Sequence, residues 1–198
     1  MPPSSTGDSP APSARQRVFD HQRIWQVNPE VFAAAAELLA AHEKPHRPDV
    51  VIAIARGGIP LGRALSRLLE VPMISVTLRH NHDDGLKVQA TGRVDIIDSA
   101  ELDQVTSGSR VLVVDDICGT GATLSAVAPL LQQRLGSVSV RTVVLCRNAA
   151  SHDLEGVAGP DAWLWNTRDW VIFPWNDPTD MPTEALALPT SVLMGQEA

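Results

Sequence analysis

The chain has 198 residues, 44% of them hydrophobic, and its 16 Lys and Arg against 23 Asp and Glu leave a formal net charge of −7. That length suits one domain with a sizeable core, and that charge has the wrong sign for a polyphosphate groove or an anionic membrane surface. No run approaches the roughly 18 apolar residues of a membrane span, the opening MPPSSTGDSPAPSARQR lacks the apolar centre of a secretory signal, and two cysteines make no disulfide framework, so a reducing, cytoplasmic setting is expected.

Residues 1–17 are rich in Pro, Ser, Ala and Gly, cannot bury enough apolar area to offset their ordering entropy, and read as a flexible tail before a domain over 18–178. Pro29 to His42 predicts a helix, with Pro in the first turn, strong helix formers behind it, and Val31, Leu38 and Leu39 as a buried stripe. Val50 to Ile54 predicts a short β-branched strand ending at Arg56-Gly57-Gly58, and Pro60 to Glu70 the helix that follows. A second apolar run, Met73 to Leu78, gives way to a polar stretch, Arg79 to Val94, without period; such a stretch inside a compact domain is functional or mobile. Val111 to Val114 is continuously apolar, as a doubly covered parallel strand should be. It leads through two acids and a loop of small residues into a helix over Leu124 to Leu135 and a strand over Val138 to Leu145. Beyond Asn148 the pattern breaks into loop, with four of the five tryptophans crowded between Trp163 and Trp175 and no Tyr anywhere; residues 179–198 carry no assignable pattern and read as a C-terminal tail. Alternating strands and helices with short turns predict an α/β fold, a parallel sheet flanked by helices, with ligands at the carboxyl ends of the strands.

The informative segment is VLVVDDICGTGAT, residues 111–123. Gly119 and Gly121 let the backbone approach a ligand, and the first-turn amides of the next helix favour an anion. Thr120 and Thr123 add hydroxyl donors. Asp115 and Asp116 would repel a phosphate in contact, yet one turn away they can accept from sugar hydroxyls and help hold a divalent cation. Together these features describe a site for a ribose 5-phosphate. The spacing G-x-G-x-x-G fails at Leu124, and no G-K-[ST] follows, so neither a dinucleotide fingerprint nor an NTPase loop is present. Gly-Thr-Gly alone would be an ordinary strand-to-helix turn.

The full string resembles the 5-phosphoribosyl diphosphate (PRPP) binding motif of type I phosphoribosyltransferases: a four-residue apolar strand, two acids and a Thr-Gly-x-Thr loop. The resemblance implies that fold with a small C-terminal hood over about 148–178. It assigns Ile117, Cys118, Gly119, Thr120, Gly121, Ala122 and Thr123 to the 5-phosphate, and Asp115 and Asp116 to ribose hydroxyls and Mg2+, directly or through water. Ala55-Arg56-Gly57-Gly58 stands where the family's pyrophosphate loop is expected: Gly57 and Gly58 expose amides, Arg56 supplies charge, and Ala55–Arg56 is the candidate for the family's cis peptide. Asp169-Trp170-Val171-Ile172-Phe173-Pro174-Trp175 is similar to the hood of 6-oxopurine phosphoribosyltransferases. That likeness gives Trp170 base stacking, Val171 a backbone contact to the base edge, and Trp163, Trp165 and Trp175 packing.

Three positions depart from the family pattern. Gly119 stands where the 6-oxopurine enzymes carry an acid for proton exchange, Arg147 where they carry a lysine for the 6-oxo group, and Arg79-His80-Asn81-His82 where the covering loop has Ser-Tyr. His80, His82, Asp83 and Asp84 concentrate metal-ligand types, but a Gly-containing polar loop holds no single geometry and reads as solvated. As a closing loop it places Lys87 and Arg93 near pyrophosphate and His80 or His82 in the vacated proton-exchange role. The expected activity is transfer of the phosphoribosyl group of PRPP to a 6-oxopurine, with release of pyrophosphate, by a homo-oligomer (dimer or tetramer). The rivals are transfer to adenine or a modified base, and a PRPP-sensing regulator without turnover; the short N-terminal extension and the acidic charge disfavour the last.

Overall fold

The computed structural model describes residues 23–80, 94–98, 100–152 and 159–195. In chain order, β1 (Ile24–Gln26) precedes α1 (Pro29–Glu43), β2 (Val50–Ala55), α2 (Gly58–Leu69), β3 (Met73–His80) and β4 (Val94–Asp98). Then come β5 (Arg110–Cys118), α3 (Ala122–Leu135), β6 (Ser139–Asn148), α4 (Ala149–His152), β7 (Ala162–Thr167), β8 (Trp170–Ile172), β9 (Glu184–Ala185) and β10 (Leu193–Met194). The main sheet has the order β10-β7-β6-β5-β2-β3-β4. Its five inner strands are parallel, and antiparallel β10 and β4 close its two edges. The α/β architecture expected from strand–helix alternation is therefore present.

Period-2 alternation divides the core. Val51 and Ala53 of β2 with Leu112 and Val114 of β5 face α1 and α2, where Ala35, Leu39, Leu61 and Leu65 cover them. Ile52 and Ile54 with Val111 and Val113 face α3, which contributes Leu124, Val127 and Leu131. Asn28 caps α1 by accepting from the Val31 N–H at 2.8 Å, and Pro29 opens the helix. The stripe that α1 buries is Ala35, Ala36, Leu39, Ala40 and Glu43, whereas Val31 and Leu38 pack only partly buried against it. Of the three expected stripe residues Leu39 lies at the centre of the buried face, and alanines fill the rest of it.

Two elements outrun their sequence expectation. β5 continues to Cys118 rather than ending at Val114, because Asp115, Ile117 and Cys118 stay paired with Val144, Cys146 and Arg147 of β6. Acids carry poor strand propensity, but pairing against a buried neighbour overrides it. Residues 179–198, which show no period, supply β9 and β10; strands of two residues are too short to display one. β9 joins β8 and β1 in a separate parallel sheet of order β8-β1-β9, with Trp25 opposite both Val171 and Glu184. The hood thus draws on both ends of the described chain.

Candidate active site

The site begins where β2 gives way to α2. The Ala55–Arg56 peptide bond is cis, as the loop's resemblance implies. Arg56 is exposed, and Gly57 is the N-cap of α2 with no side chain covering the helix amides. A Cβ on Gly57 would press into the Asp116 carboxylate, and one on Gly58 would meet the Val114 carbonyl oxygen and lie 3.0 Å from the Asp115 Cα. Only glycine lets this loop lie so close to β5.

From the other side β5 brings Asp115 and Asp116, both half-buried, and the Asp116 N–H donates to Asp115 Oδ1 at 2.9 Å. Past buried Cys118 and Gly119 the chain turns at Gly121, whose φ of 78° is a left-handed conformation suited to glycine. There α3 begins: the Ala122 N–H donates to Thr120 Oγ1 at 3.4 Å and the Ser125 N–H to the Gly121 carbonyl at 2.9 Å. Thr120 and Thr123 are half-buried beside this turn. A helix N-terminus, uncapped by any Gly121 side chain, follows directly on two carboxylates.

The third wall is the hood. A tight turn, in which Thr167 Oγ1 donates to the Asp169 carbonyl at 3.0 Å, leads from β7 into β8 and presents Trp170 with 45% of its surface exposed. Trp163 and Trp165 are buried, their Nε1 groups donating to Asn166 Oδ1 and the Ala187 carbonyl. Trp175 stacks on Phe173 at 5.0 Å and meets the edge of Phe32. Three tryptophans pack, and one faces out.

Arg56, Gly57, Asp115, Asp116, Ile117, Trp170, Val171, Phe173 and Asn176 line one cleft of about 360 Å³, within the range of small-molecule sites. The structure therefore joins the sequence-predicted loop, acid pair and hood. The rest of the candidate phosphate loop continues from Ile117 outside that lining. Phe173 and Asn176 also line the cleft although the motif reading assigns them no role; the one available signal is Asn176, a turn former just after Pro174-Trp175. Arg147 is not part of the cleft wall. It is half-buried opposite Cys118, its Cζ lies 5.0 Å over the Trp163 ring, and its Nε is buried without an acceptor among the described residues. Of Arg79 and His80 only the backbone at the end of β3 is described, while His82, Asp83, Asp84, Lys87, Arg93 and the tail 1–17 lie outside the described residues.

Burial pushes the Cys146 thiol well above its ordinary range, and the Asp116 charge pushes it further the same way. The cysteine beside the site therefore stays protonated. A second group of ligand-type side chains, His42, Glu43 and His46, lies at the far end of α1. There buried Glu43 accepts from Arg141 Nε at 2.7 Å and contacts His42 Nδ1 at 2.8 Å, so both its carboxylate oxygens are engaged.

The chain belongs to the phosphoribosyl transferase domain family, whose profile matches residues 23–178. With that family comes the pentosyltransferase class of enzyme. Over 134 residues it is 29% identical to an HGPRTase-like protein of Halorubrum lacusprofundi, covering 67% of this chain and 70% of that one. It is 28% identical over 138 residues to an adenine phosphoribosyltransferase of Blochmanniella floridana, covering 67% and 69%. Among solved structures, a purine phosphoribosyltransferase of Pyrococcus horikoshii matches with a TM-score of 0.64 and 22% identity, over 81% of this chain and 99% of that one, a likeness of fold. No helix among the described residues is long and apolar enough to cross a membrane.

Proposed function

We propose that the protein transfers the 5-phosphoribosyl group of PRPP to a 6-oxopurine, releasing pyrophosphate with inversion at C1. The observation that carries this reading is that an exposed Trp170 lines one cleft together with Arg56, Asp115 and Asp116. A flat heterocycle stacks on the indole, and the carboxylates that share its cleft accept from ribose hydroxyls. The backbone amides and hydroxyls of residues 117–123 cradle the 5-phosphate, and Arg56 with the amides of Gly57 and Gly58 receives the pyrophosphate. Val171 offers its backbone to the edge of the base.

In the reaction a ring nitrogen of the base bonds to C1, the C1–oxygen bond to pyrophosphate breaks, and the base sheds one proton. Gly119 has no group to take that proton, so the proposed acceptor is His80 or His82. Two half-buried carboxylates on the cleft wall are the hard oxygen donors that suit Mg2+, and Asp115 and Asp116 would hold it. When bound, the ion neutralises charge on the departing pyrophosphate. The protein's own part is positioning and charge stabilisation.

Transfer to adenine is the second reading, favoured by Gly119, by Arg147 turned onto Trp163, and by the likeness to an adenine phosphoribosyltransferase. Purified protein with Mg2+, PRPP and a panel of bases, followed by pyrophosphate release, separates the two. Turnover on guanine, xanthine or hypoxanthine is expected. Turnover on adenine alone contradicts the 6-oxopurine assignment, and PRPP binding without turnover on any base contradicts the enzyme reading.

A further inference from the structure

Where α1 ends, His42, Glu43 and His46 form a group of ligand-type side chains that the proposed reaction does not use. The backbone brings the two histidines together. Lys44 keeps right-handed helical dihedrals, its N–H donating to the Ala40 carbonyl, and a 3-10 turn over Lys44–His46 carries the helix on until Arg47 turns left-handed at φ 51°. His46 therefore follows His42 by about one turn, the spacing at which helical side chains are neighbours, and their ring centroids lie 6.1 Å apart. Glu43 is wholly buried, and one donor atom from each of the three residues lies within 4.8 Å of the other two.

The carboxylate is held from behind. Arg141 Nε donates to Glu43 Oε2 at 2.7 Å and Arg141 Nη2 to Oε1 at 3.3 Å, an anchor of the kind that fixes the direction of a ligating carboxylate. On the other side Glu43 Oε1 is 2.8 Å from His42 Nδ1, close to the spacing of two neighbouring ligands on one ion with bonds of about 2.0–2.2 Å. A carboxylate has about four lone-pair positions, so with Arg141 in place Oε1 can still turn one to an ion instead of to the His42 hydrogen. The surrounding charges decide which ion. Arg141 neutralises Glu43, and Lys44 and Arg47 stand exposed beside the group, so a hard cation held by charge alone gains little there. Two imidazoles suit borderline transition metals instead. His46 is exposed and His42 partly so, which gives the ion an entry path and leaves its remaining positions to solvent. We infer that His42, Glu43 and His46 form a binding site for a borderline divalent transition metal such as Zn2+, sharing no residue with the cleft of Arg56, Asp115, Asp116 and Trp170.

Calorimetric titration of Zn2+ into the full chain, with the melting temperature read alongside, tests the inference. His46→Gln changes an exposed side chain and leaves the Glu43–Arg141 pair intact, and His42→Gln removes the other imidazole. Zn2+ taken up elsewhere in the chain persists in both variants and is subtracted by the comparison. Each variant is expected to lose one Zn2+ site or to weaken it at least tenfold, since loss of a partner that merely orients a ligand already costs roughly 10- to 100-fold. Zn2+ should also raise the melting temperature of wild type more than that of either variant. Equimolar Mg2+ should leave the bound Zn2+ in place. His46→Gln decides alone if His42→Gln does not fold. A Zn2+ isotherm unchanged in the folded variants, or no Zn2+ uptake by wild type, overturns the inference and leaves phosphoribosyl transfer standing. Displacement of the Zn2+ by equimolar Mg2+ overturns the assignment to a transition metal.

Discussion

Gly57 and Asp116 approach each other so closely that a methyl group between them has no space. Gly57→Ala must therefore displace the loop between β2 and α2, the acid pair or both. A misplacement of this kind costs roughly 100-fold in rate where positioning dominates. Steady-state kinetics should show kcat/KM falling by about that factor while circular dichroism reports a folded protein; an unaltered kcat/KM would mean that this approach does not matter. Cys146 gives a second expectation at this scale. Burial, with the Asp116 charge second, raises its pKa, so the thiolate is more available in the unfolded chain than in the folded one. The stability contributed is complete below the ordinary thiol value of about 8.5 and is lost as pH rises beyond it toward the raised folded value. Iodoacetamide labelling at pH 8 should leave Cys146 unmodified in native protein and modify it in urea.

Among the elements, the hood shows most clearly what one sequence can and cannot disclose. Trp163 is buried against the core facing α3, whereas Trp170 is 45% exposed over the cleft. Trp163→Ala is expected to cost about 3–5 kcal/mol of stability, the ordinary penalty for a large aromatic cavity. Trp170→Ala should leave the denaturation midpoint nearly unchanged and raise KM for the base about tenfold, the worth of one stacking contact. Equal losses of stability in the two variants would contradict the division of labour. Arg56-Gly57-Gly58, Asp115-Asp116 and Trp170-Val171 were legible in the sequence because each is a contiguous string whose chemistry needs no knowledge of distant neighbours. β1 and β9 were not, since three- and two-residue strands have no period and form only by pairing across more than a hundred residues. Asn176 was hidden for a related reason: its turn and its place in the cleft lining exist only after the hood folds. Arg147 was legible as a residue type at the end of β6, but its placement over Trp163 depends on a β7 that the sequence pattern did not announce.

For the molecule as a whole, a charge of −7 is compatible with the polyanionic substrates of the proposed function because that proposal assigns the phosphates to backbone amides and Arg56 rather than to a basic surface. The opposite end of the sheet is held by ion pairs. Arg141 of β6 meets the buried Glu43 of α1, and Arg110 of β5 makes three hydrogen bonds to Asp49 just before β2. Removing the Arg141 side chain leaves a buried carboxylate without its cation, so Arg141→Ala should destabilise the fold by about 3–5 kcal/mol. The Asp49–Arg110 pair is exposed, and its effect is one of pH. Arg110 hydrogen bonds hold the Asp49 carboxyl below its ordinary range, so its modest contribution is present above about pH 3.9 and is lost as pH falls through the lowered value. Melting temperature against pH should show a shallower acid limb in Asp49→Asn than in wild type. The central claim is that the cleft between Arg56, Asp115, Asp116 and Trp170 is where PRPP and a purine react. It is tested most directly by PRPP- and base-dependent pyrophosphate release from wild type and from a folded Asp115→Asn, Asp116→Asn double variant. Turnover on a 6-oxopurine that falls at least 100-fold in the variant is the expected result, and equal rates in the two proteins, or no pyrophosphate from wild type with any base, would contradict it.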